Sequence, residues 1–86
     1  MQVLIPSPLR SYTAGAAVVP ATGDSVTEVL ADLEQRFPGM RFRMVDEQER
    51  IRRHVRVFVG GEQCFDLGRA LAGNEEIAIV QALTGG

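Results

Sequence analysis

The sequence predicts a single α+β domain in which one amphipathic helix crosses one face of a small sheet of four or five strands. Three observations support this prediction. Short apolar runs of strand type lie at both ends of the chain, one helical repeat lies between Ser25 and Phe37, and a two-glycine turn joins two strand-like runs near residue 60. With 86 residues, the chain is long enough for one domain with a modest core.

The first two strands are predicted from short apolar runs that end at prolines. Residues 2–5 form the first strand, which Pro6 ends because proline fixes its own φ angle and removes a backbone donor. A turn-rich stretch at residues 12–15 reverses the chain, and residues 16–19 form the second strand, which we expect Pro20 to end. The chain therefore begins with a hairpin.

The clearest helix follows directly. Asp24 or Ser25 is the expected N-cap, and Glu28 stands three residues after Ser25, which is the spacing of a capping box. Pro38 and Gly39 end the helix. Its apolar residues recur at helical spacing: Val26, Val29, Leu30, Leu33 and Phe37. We expect this face to be buried against the sheet.

Residues 40–53 are rich in charge and follow neither the helical nor the strand period. We expect an irregular segment here, in which Phe42, Val45 and Ile51 dock on the core. The carboxylates of this stretch are interpreted as solvated groups rather than as an acid and base pair.

An alternating run at residues 55–59 then predicts a strand with its valines on one face. Gly60 and Gly61 form a two-residue hairpin turn, and residues 62–65 form the returning strand. A turn or a one-turn helix is expected around residues 66–71.

The last strand is predicted over residues 76–82, with Ile77 and Ile79 facing the core. This assignment makes residues 1–82 the folded domain. Residues 83–86 then form a tail that ends in two glycines.

Charge argues against a nucleic-acid-binding protein. The formal net charge is -2, so the molecule as a whole lacks the field that attracts phosphates. The local cluster of Arg50, Arg52, Arg53 and Arg56 with His54 is short and has no interleaved aromatic residues. We interpret it as a solvated face or as an electrostatic contact with a partner protein.

Metal binding, disulfides and membrane insertion are not expected. Cys64 is the only cysteine and is interpreted as a small buried hydrophobe, and His54 has no second ligand at a suitable spacing. No apolar run approaches the roughly 20 residues that span a bilayer. The sequence therefore predicts a cytoplasmic protein with no bound metal.

Four stretches match the pattern of a known family: IPSPLRSYTAG, GDSVTEVLADLEQRFPG, VRVFVGGE and GNEEIAIVQALTGG. Through them the whole chain resembles the ThiS/MoaD family of prokaryotic sulfur carriers. The resemblance implies a β-grasp, ubiquitin-like fold with a mixed sheet. Within the family, the length and the IPSPLR opening look closest to the CysO-like carriers. The ALTGG ending departs mildly from the usual tail at Leu83 and Thr84 and keeps the glycine pair.

The resemblance also implies the chemistry of the tail. A ThiF/MoeB-like enzyme adenylates the Gly86 carboxylate with ATP, and sulfur then converts the adenylate to a thiocarboxylate. The carrier is a co-substrate rather than an enzyme and binds no cofactor of its own. Gly85 and Gly86 suit this role because residues without a Cβ pass through a narrow channel and accept unusual φ angles.

The resemblance further implies that partner enzymes dock on the sheet face that the helix leaves uncovered. The residues expected there and at the base of the tail are Phe58, Val80, Ala82, Leu83, Thr84 and Arg56. The alternative is that Phe58 folds into a second small core beneath residues 40–53.

Several sulfur acceptors remain open at this stage. A role in cysteine biosynthesis implies a cysteine-synthase-like acceptor and a metalloprotease that acts at the tail. The alternatives are the small subunit of molybdopterin synthase, which binds a large subunit, and a ThiS-like carrier for thiazole synthesis. A ubiquitin-like modifier joined to lysines of other proteins is a further alternative.

Overall fold

The computed structural model describes residues 1–81, which form one five-stranded sheet of order β2-β1-β5-β3-β4 with a helix on one face. Strands β1 and β5 are parallel and all other neighbours are antiparallel. The elements are β1 Gln2–Leu4, β2 Val18–Pro20, α1 Val26–Arg36, α2 Met40–Met44, β3 Val55–Val59, β4 Glu62–Cys64 and β5 Ile77–Gln81, with a 3-10 turn at Ser7–Leu9. The predicted α+β fold with a mixed sheet is confirmed.

The start of α1 follows the predicted capping box closely. The Oγ of Ser25 accepts the backbone N–H of Glu28 at 3.2 Å. The Glu28 carboxylate accepts the N–H of Asp24 at 3.0 Å, one residue before the cap itself. Gly23 has φ +154, and a Cβ there would lie 2.8 Å from the backbone nitrogen of Val29. Only glycine fits at this position, because the chain passes close to the backbone of α1 just before the helix begins.

The core lies between α1 and the inner face of the sheet. Val26, Val29, Leu30 and Leu33 of the helix are each at most 1% exposed. The sheet side chains that meet them are also buried: Val3, Val19, Val55, Val57, Val59, Cys64, Ile77 and Ile79. The prediction that the three valines of β3 share one face and the prediction that the two isoleucines of β5 face the core are therefore confirmed.

The second strand differs from its prediction. It runs from Val18 to Pro20 rather than over residues 16–19, so Pro20 lies inside the strand and pairs with Gln2. This is possible because β2 is an edge strand with β1 as its only neighbour, and an edge strand tolerates a residue without an N–H.

Residues 40–53 are more regular than expected. Residues 40–44 form the short helix α2, in which Met40 and Met44 are fully buried, one turn apart on the same side. The expected docking of Phe42 on the core is wrong, because its position between the two methionines leaves it 58% exposed. Val45 is buried as expected and forms an isolated antiparallel bridge with Ile51.

The predicted Gly60-Gly61 hairpin is confirmed. Val59 pairs with Glu62, and the two glycines have φ angles of +57 and +87, as a type I′ turn requires. Strand β4 ends at Cys64, one residue earlier than expected, and the Phe65 side chain is 79% exposed.

Candidate protein-docking site

The two glycines on which the predicted chemistry depends lie outside the described residues. The same is true of Ala82, Leu83 and Thr84, and the division into a domain of residues 1–82 and a tail stays a prediction. The described chain ends at Gln81 in β5, which lies between β1 and β3 near the middle of the sheet. Gln81 pairs with Val55 of β3. The candidate site among the described residues therefore consists of the surfaces around the end of β5.

The sheet face opposite α1 carries three of the predicted docking residues. Strand alternation turns Arg56 and Phe58 of β3 away from the core, while the valines on either side are buried. On β5, Val80 lies directly across from Arg56 and is 46% exposed, and Ala78 lies across from Phe58. Phe58 is half-buried and does not belong to the buried core. The alternative of a second core around Phe58 is therefore not observed.

The exposed apolar surface continues beyond these residues. Leu4 of β1 pairs with Ala78 across the parallel strands, and Val18 of the edge strand pairs with Leu4 and is 43% exposed. A groove of about 320 Å³ runs along β1 and β5 at this point. We call the surface formed by Val18, Leu4, Ala78, Phe58 and Val80 the open sheet face.

Sequence reasoning missed Leu4, Val18 and Ala78 as members of this face. Their inclusion depends on the pairing of β1 with β5, which joins residues more than 70 positions apart in sequence. The first strand gives no alternating signal in the sequence, because Val3, Leu4 and Ile5 are all apolar, although the structure buries Val3 and leaves Leu4 partly exposed.

Arg56 lies at the margin of the open sheet face, and backbone oxygens hold it there. Its Nη1 donates to the carbonyls of Arg53 at 2.6 Å and Val55 at 3.1 Å. Among residues 1–81 it forms no ion pair with a carboxylate. Its charge is therefore fixed in place beside an apolar surface.

The remaining candidates for chemistry have structural roles. Cys64 is buried, as predicted, and its Sγ lies 3.1 Å from the carbonyl of Asp66. The backbone N–H groups of Arg50 and then Gln48 hold the pKa of Asp46 below its ordinary value. This carboxylate stabilises a turn.

Residues 1–81 contain no group of three or more His, Cys, Asp or Glu side chains arranged to hold a metal ion. No helix among these residues is long and apolar enough to cross a bilayer.

Comparison with known proteins gives a match over almost the whole length. The family model described as the ThiS family matches residues 3–86. The sulfur carrier protein CysO of Mycobacterium tuberculosis is 33% identical over 89 aligned residues, which cover 98% of this chain and 96% of that protein. The family match includes the two glycines that lie outside the described residues.

Solved structures give a consistent result. A chain in the crystal structure of the Amycolatopsis orientalis BexX/CysO complex has a TM-score of 0.90 and 33% identity, covering 99% of this chain and 98% of that one. The small archaeal modifier protein 1 of Haloferax volcanii has a TM-score of 0.75 and 26% identity, covering 96% and 97%. The fold described above is thus shared along its full length with proteins of known structure.

Proposed function

Because the chain belongs to the ThiS family, we propose that it is a sulfur carrier of the CysO type, whose Gly86 carboxylate is converted to a thiocarboxylate. The observation that carries the proposal is the similarity to CysO over 98% of the chain. The family match extends through Gly86, so the glycine pair falls within it.

The proposed reaction uses only the tail of this protein. A Gly86 carboxylate oxygen attacks the α-phosphorus of ATP, pyrophosphate leaves, and an acyl adenylate forms. A hydrosulfide equivalent from a sulfur donor then attacks the acyl carbon and AMP leaves, which gives the thiocarboxylate. Adenylation is needed because the oxide of a free carboxylate is a poor leaving group. The adenylating partner, of the ThiF/MoeB type, supplies the ATP site, and the carrier is a co-substrate without a cofactor of its own.

The position of β5 suits a protein that presents its tail to other proteins. Five residues of β5 pair with β3, from Val59 opposite Ile77 to Val55 opposite Gln81, and β1 pairs on the other side. Backbone pairing therefore holds the last described residue to the rest of the domain. A partner that binds the domain therefore holds Gln81, and with it the start of residues 82–86, at a defined position relative to its own surface.

The open sheet face is the surface on which such a partner docks in this proposal. It is apolar, lies next to the end of β5 and carries Arg56 at its margin. Exposed apolar patches on small domains mark protein-binding sites. The crystal structure of the BexX/CysO complex supports partner binding by a relative of this chain. We assign the contact to Phe58, Val80 and Arg56, continued by Ala82, Leu83 and Thr84.

A charged residue in the open sheet face should weaken docking without unfolding the domain. We expect Val80→Glu to raise the KM of the adenylating enzyme for the carrier about tenfold or more, because an apolar contact near the centre of an interface is lost. The new carboxylate lies across from Arg56, so the free energy of unfolding should change by less than about 1 kcal/mol. Steady-state pyrophosphate release measures the KM, and urea unfolding measures the stability.

The matched control is Gln35→Glu, which adds the same charge on the exposed side of α1. Its KM should stay within about twofold of the native value, since surface changes away from an interface have small effects. Equal KM values for the two variants would remove the open sheet face from the proposal.

We further propose that the sulfur is delivered in the cytoplasm to a cysteine-synthase-like enzyme, and that a metalloprotease acts at the tail afterwards. Similarity to CysO supports this choice over molybdopterin or thiazole synthesis. A second candidate is a protein modifier that joins Gly86 to lysines of other proteins. The 26% identity to a small archaeal modifier protein supports that alternative.

The test of the proposed function is the intact mass of the protein after incubation with ATP, a sulfide source and a ThiF/MoeB-like enzyme. We expect one oxygen to be exchanged for sulfur, and no change when ATP is omitted. An unchanged mass, obtained while the same enzyme activates another carrier, contradicts the proposal. Products with the mass of a lysine conjugate would instead favour the modifier.

A further inference from the structure

The arginines of this chain fall into two groups. Of the nine basic residues, Arg36, Arg41 and Arg69 form ion pairs with carboxylates. The other six form no ion pair within residues 1–81. Arg10 lies apart from the rest, and the remaining five lie close together in sequence: Arg43, Arg50, Arg52, Arg53 and Arg56. Positive charge is thus concentrated in one part of a chain whose net charge is -2.

Four of these arginines line one groove of about 510 Å³ between the loop that precedes β3 and the end of β4. We call it the basic groove. Its lining combines four arginines with apolar residues: Arg50, Arg52, Arg53, Arg56, Ile51 and Phe65. Phe65 is 79% exposed, so the groove has an uncovered aromatic ring at one side.

Neutral acceptors hold three of the arginine side chains. Arg52 Nε donates to the carbonyl of Phe42 at 2.7 Å. The guanidinium of Arg52 lies over the Phe42 ring, with its Cζ 4.5 Å from the ring centroid. Arg50 donates to the amide oxygen of Gln48 at 3.3 Å, and Arg56 donates to backbone carbonyls. These bonds orient the guanidinium groups without cancelling their charge.

The carboxylates nearby are already engaged. Glu49 is the one acidic residue among those that line the basic groove, and its carboxylate pairs with Arg41. Asp46, in the same loop, accepts the backbone N–H groups of Gln48 and Arg50. The charges of Arg50 and Arg52 also help to lower the pKa of Asp46, so this carboxylate offsets part of their charge. With four arginines and one carboxylate in its lining, the basic groove still keeps an excess of positive charge.

The basic groove lies near the end of β5. Val55 lines the groove and pairs with Gln81, the last described residue. Strand β4 is an edge strand, so no other strand of the described chain pairs along its outer side. A protein that takes the tail and covers the open sheet face comes within about one strand spacing, ~5 Å, of the groove.

We propose that the basic groove binds an acidic, extended segment of the adenylating enzyme, with an apolar side chain of that segment packed against Phe65. Carboxylates suit a groove lined by four arginines, three of which are held by neutral acceptors, and an extended segment suits the unpaired edge of β4. The acidic remainder of the chain repels the same segment elsewhere, so the groove orients the encounter. This inference rests on the proposed function in its choice of partner.

The first experiment measures the groove without any sulfur chemistry. A fluorescein-labelled peptide of Glu and Asp residues with one central Leu is titrated at low salt, and its anisotropy is followed. We expect binding that the double variant Arg50→Gln with Arg53→Gln weakens about tenfold, and that added salt also weakens. Both side chains are exposed and neither carries a contact to the core, so the fold should persist. Circular dichroism checks this.

Two controls make the result specific. Arg36→Gln with Arg69→Gln removes the same charge away from the groove and should bind the peptide within about twofold of the native protein. Phe65→Ala keeps the charge and should weaken binding severalfold through the lost apolar contact. Equal binding by the two double variants, or no binding by the native chain, overturns the proposal. Preferential binding of a short oligouridylate in the groove would overturn it in favour of nucleic acid.

A second experiment tests the choice of partner. The KM of the adenylating enzyme for Arg50→Gln with Arg53→Gln should rise about tenfold with kcat unchanged, while the control double variant keeps the native KM. The same KM for both double variants would mean that the acidic segment does not belong to this enzyme. If the native chain is not adenylated at all, the proposed function fails, and the peptide titration still decides whether the groove binds acidic segments.

Discussion

A chain extended by one alanine after Gly86 should form no detectable thiocarboxylate under conditions in which the native chain reacts fully. The extra residue moves the carboxylate by up to about 3.5 Å along the chain. Reacting atoms must approach within roughly 3.5 Å in a defined direction, and a displacement of even 1 Å costs about a hundredfold in rate. The added Cβ also widens a tail that consists of glycine at its last two positions.

The extension should leave the domain unchanged, because the described core is built from residues 3–79. Urea unfolding midpoints of the native and extended chains should therefore agree. A chain with one alanine inserted after Gly73 is the matched control, since it has the same composition and the insertion falls between two exposed residues outside any helix or strand. This control should react like the native chain.

A reacting extended chain would contradict the role of Gly86, provided that its intact mass still includes the alanine. Loss of the alanine before reaction would instead reveal trimming by a protease. Deleting Gly86 provides a second variant with the same expectation, because the carboxylate then stops short of the adenylation site by one residue.

The helix and the central hairpin could be predicted from the sequence because short-range physics determines both. Ser25 accepts the free N–H of Glu28 in the first turn of α1, and the Glu28 carboxylate accepts the N–H of Asp24 just before the cap. The four buried residues of the helix follow its 3.6-residue period. Gly60 and Gly61 adopt positive φ angles that other residues rarely accept. Each of these signals is complete within about a dozen residues.

The short helix α2 could not be predicted in this way. Its only apolar signal is the pair Met40 and Met44, because a single turn of helix is too short to show a period. Hydrophobicity alone therefore predicts Phe42 in the core, although its position between the two methionines turns it to solvent. Tertiary packing decides the structure of such short elements.

Only part of the candidate site could be predicted from the sequence, for a related reason. Strand alternation predicts that Phe58 and Val80 point away from the core, and the family resemblance implies that their strands pair. Leu4 and Val18 join the same face through the pairing of β1 with β5. The basic groove likewise brings residues 50–56 next to Phe65 at the end of β4. Contacts of this kind depend on topology, and local patterns contain no information about them. The sulfur chemistry was predicted from family resemblance, and its site lies outside the described residues.

Replacing Leu33 by alanine should destabilise the domain by about 3 kcal/mol, within the range of roughly 2–5 kcal/mol measured for buried leucines. Leu33 is fully buried on α1, where the helix crosses the inner face of the sheet. The loss combines the removed apolar contact with the cavity that close-packed neighbours cannot fill. Since a small domain has only about 5–15 kcal/mol of stability, the melting temperature should fall by roughly 10–20 °C. Calorimetry measures both quantities.

The matched control is Gln35→Ala, which makes the same kind of change on the exposed side of the same helix. It should alter stability by less than about 0.5 kcal/mol, because alanine favours helix and no buried contact is lost. If Leu33→Ala also cost less than about 1 kcal/mol, then α1 would not be packed on the sheet as described. The sheet that carries the open sheet face would then not be held rigid by the packing of α1 on its other side. Because docking requires that support, Leu33→Ala should accept sulfur normally at 25 °C and lose this activity at its own lowered melting temperature.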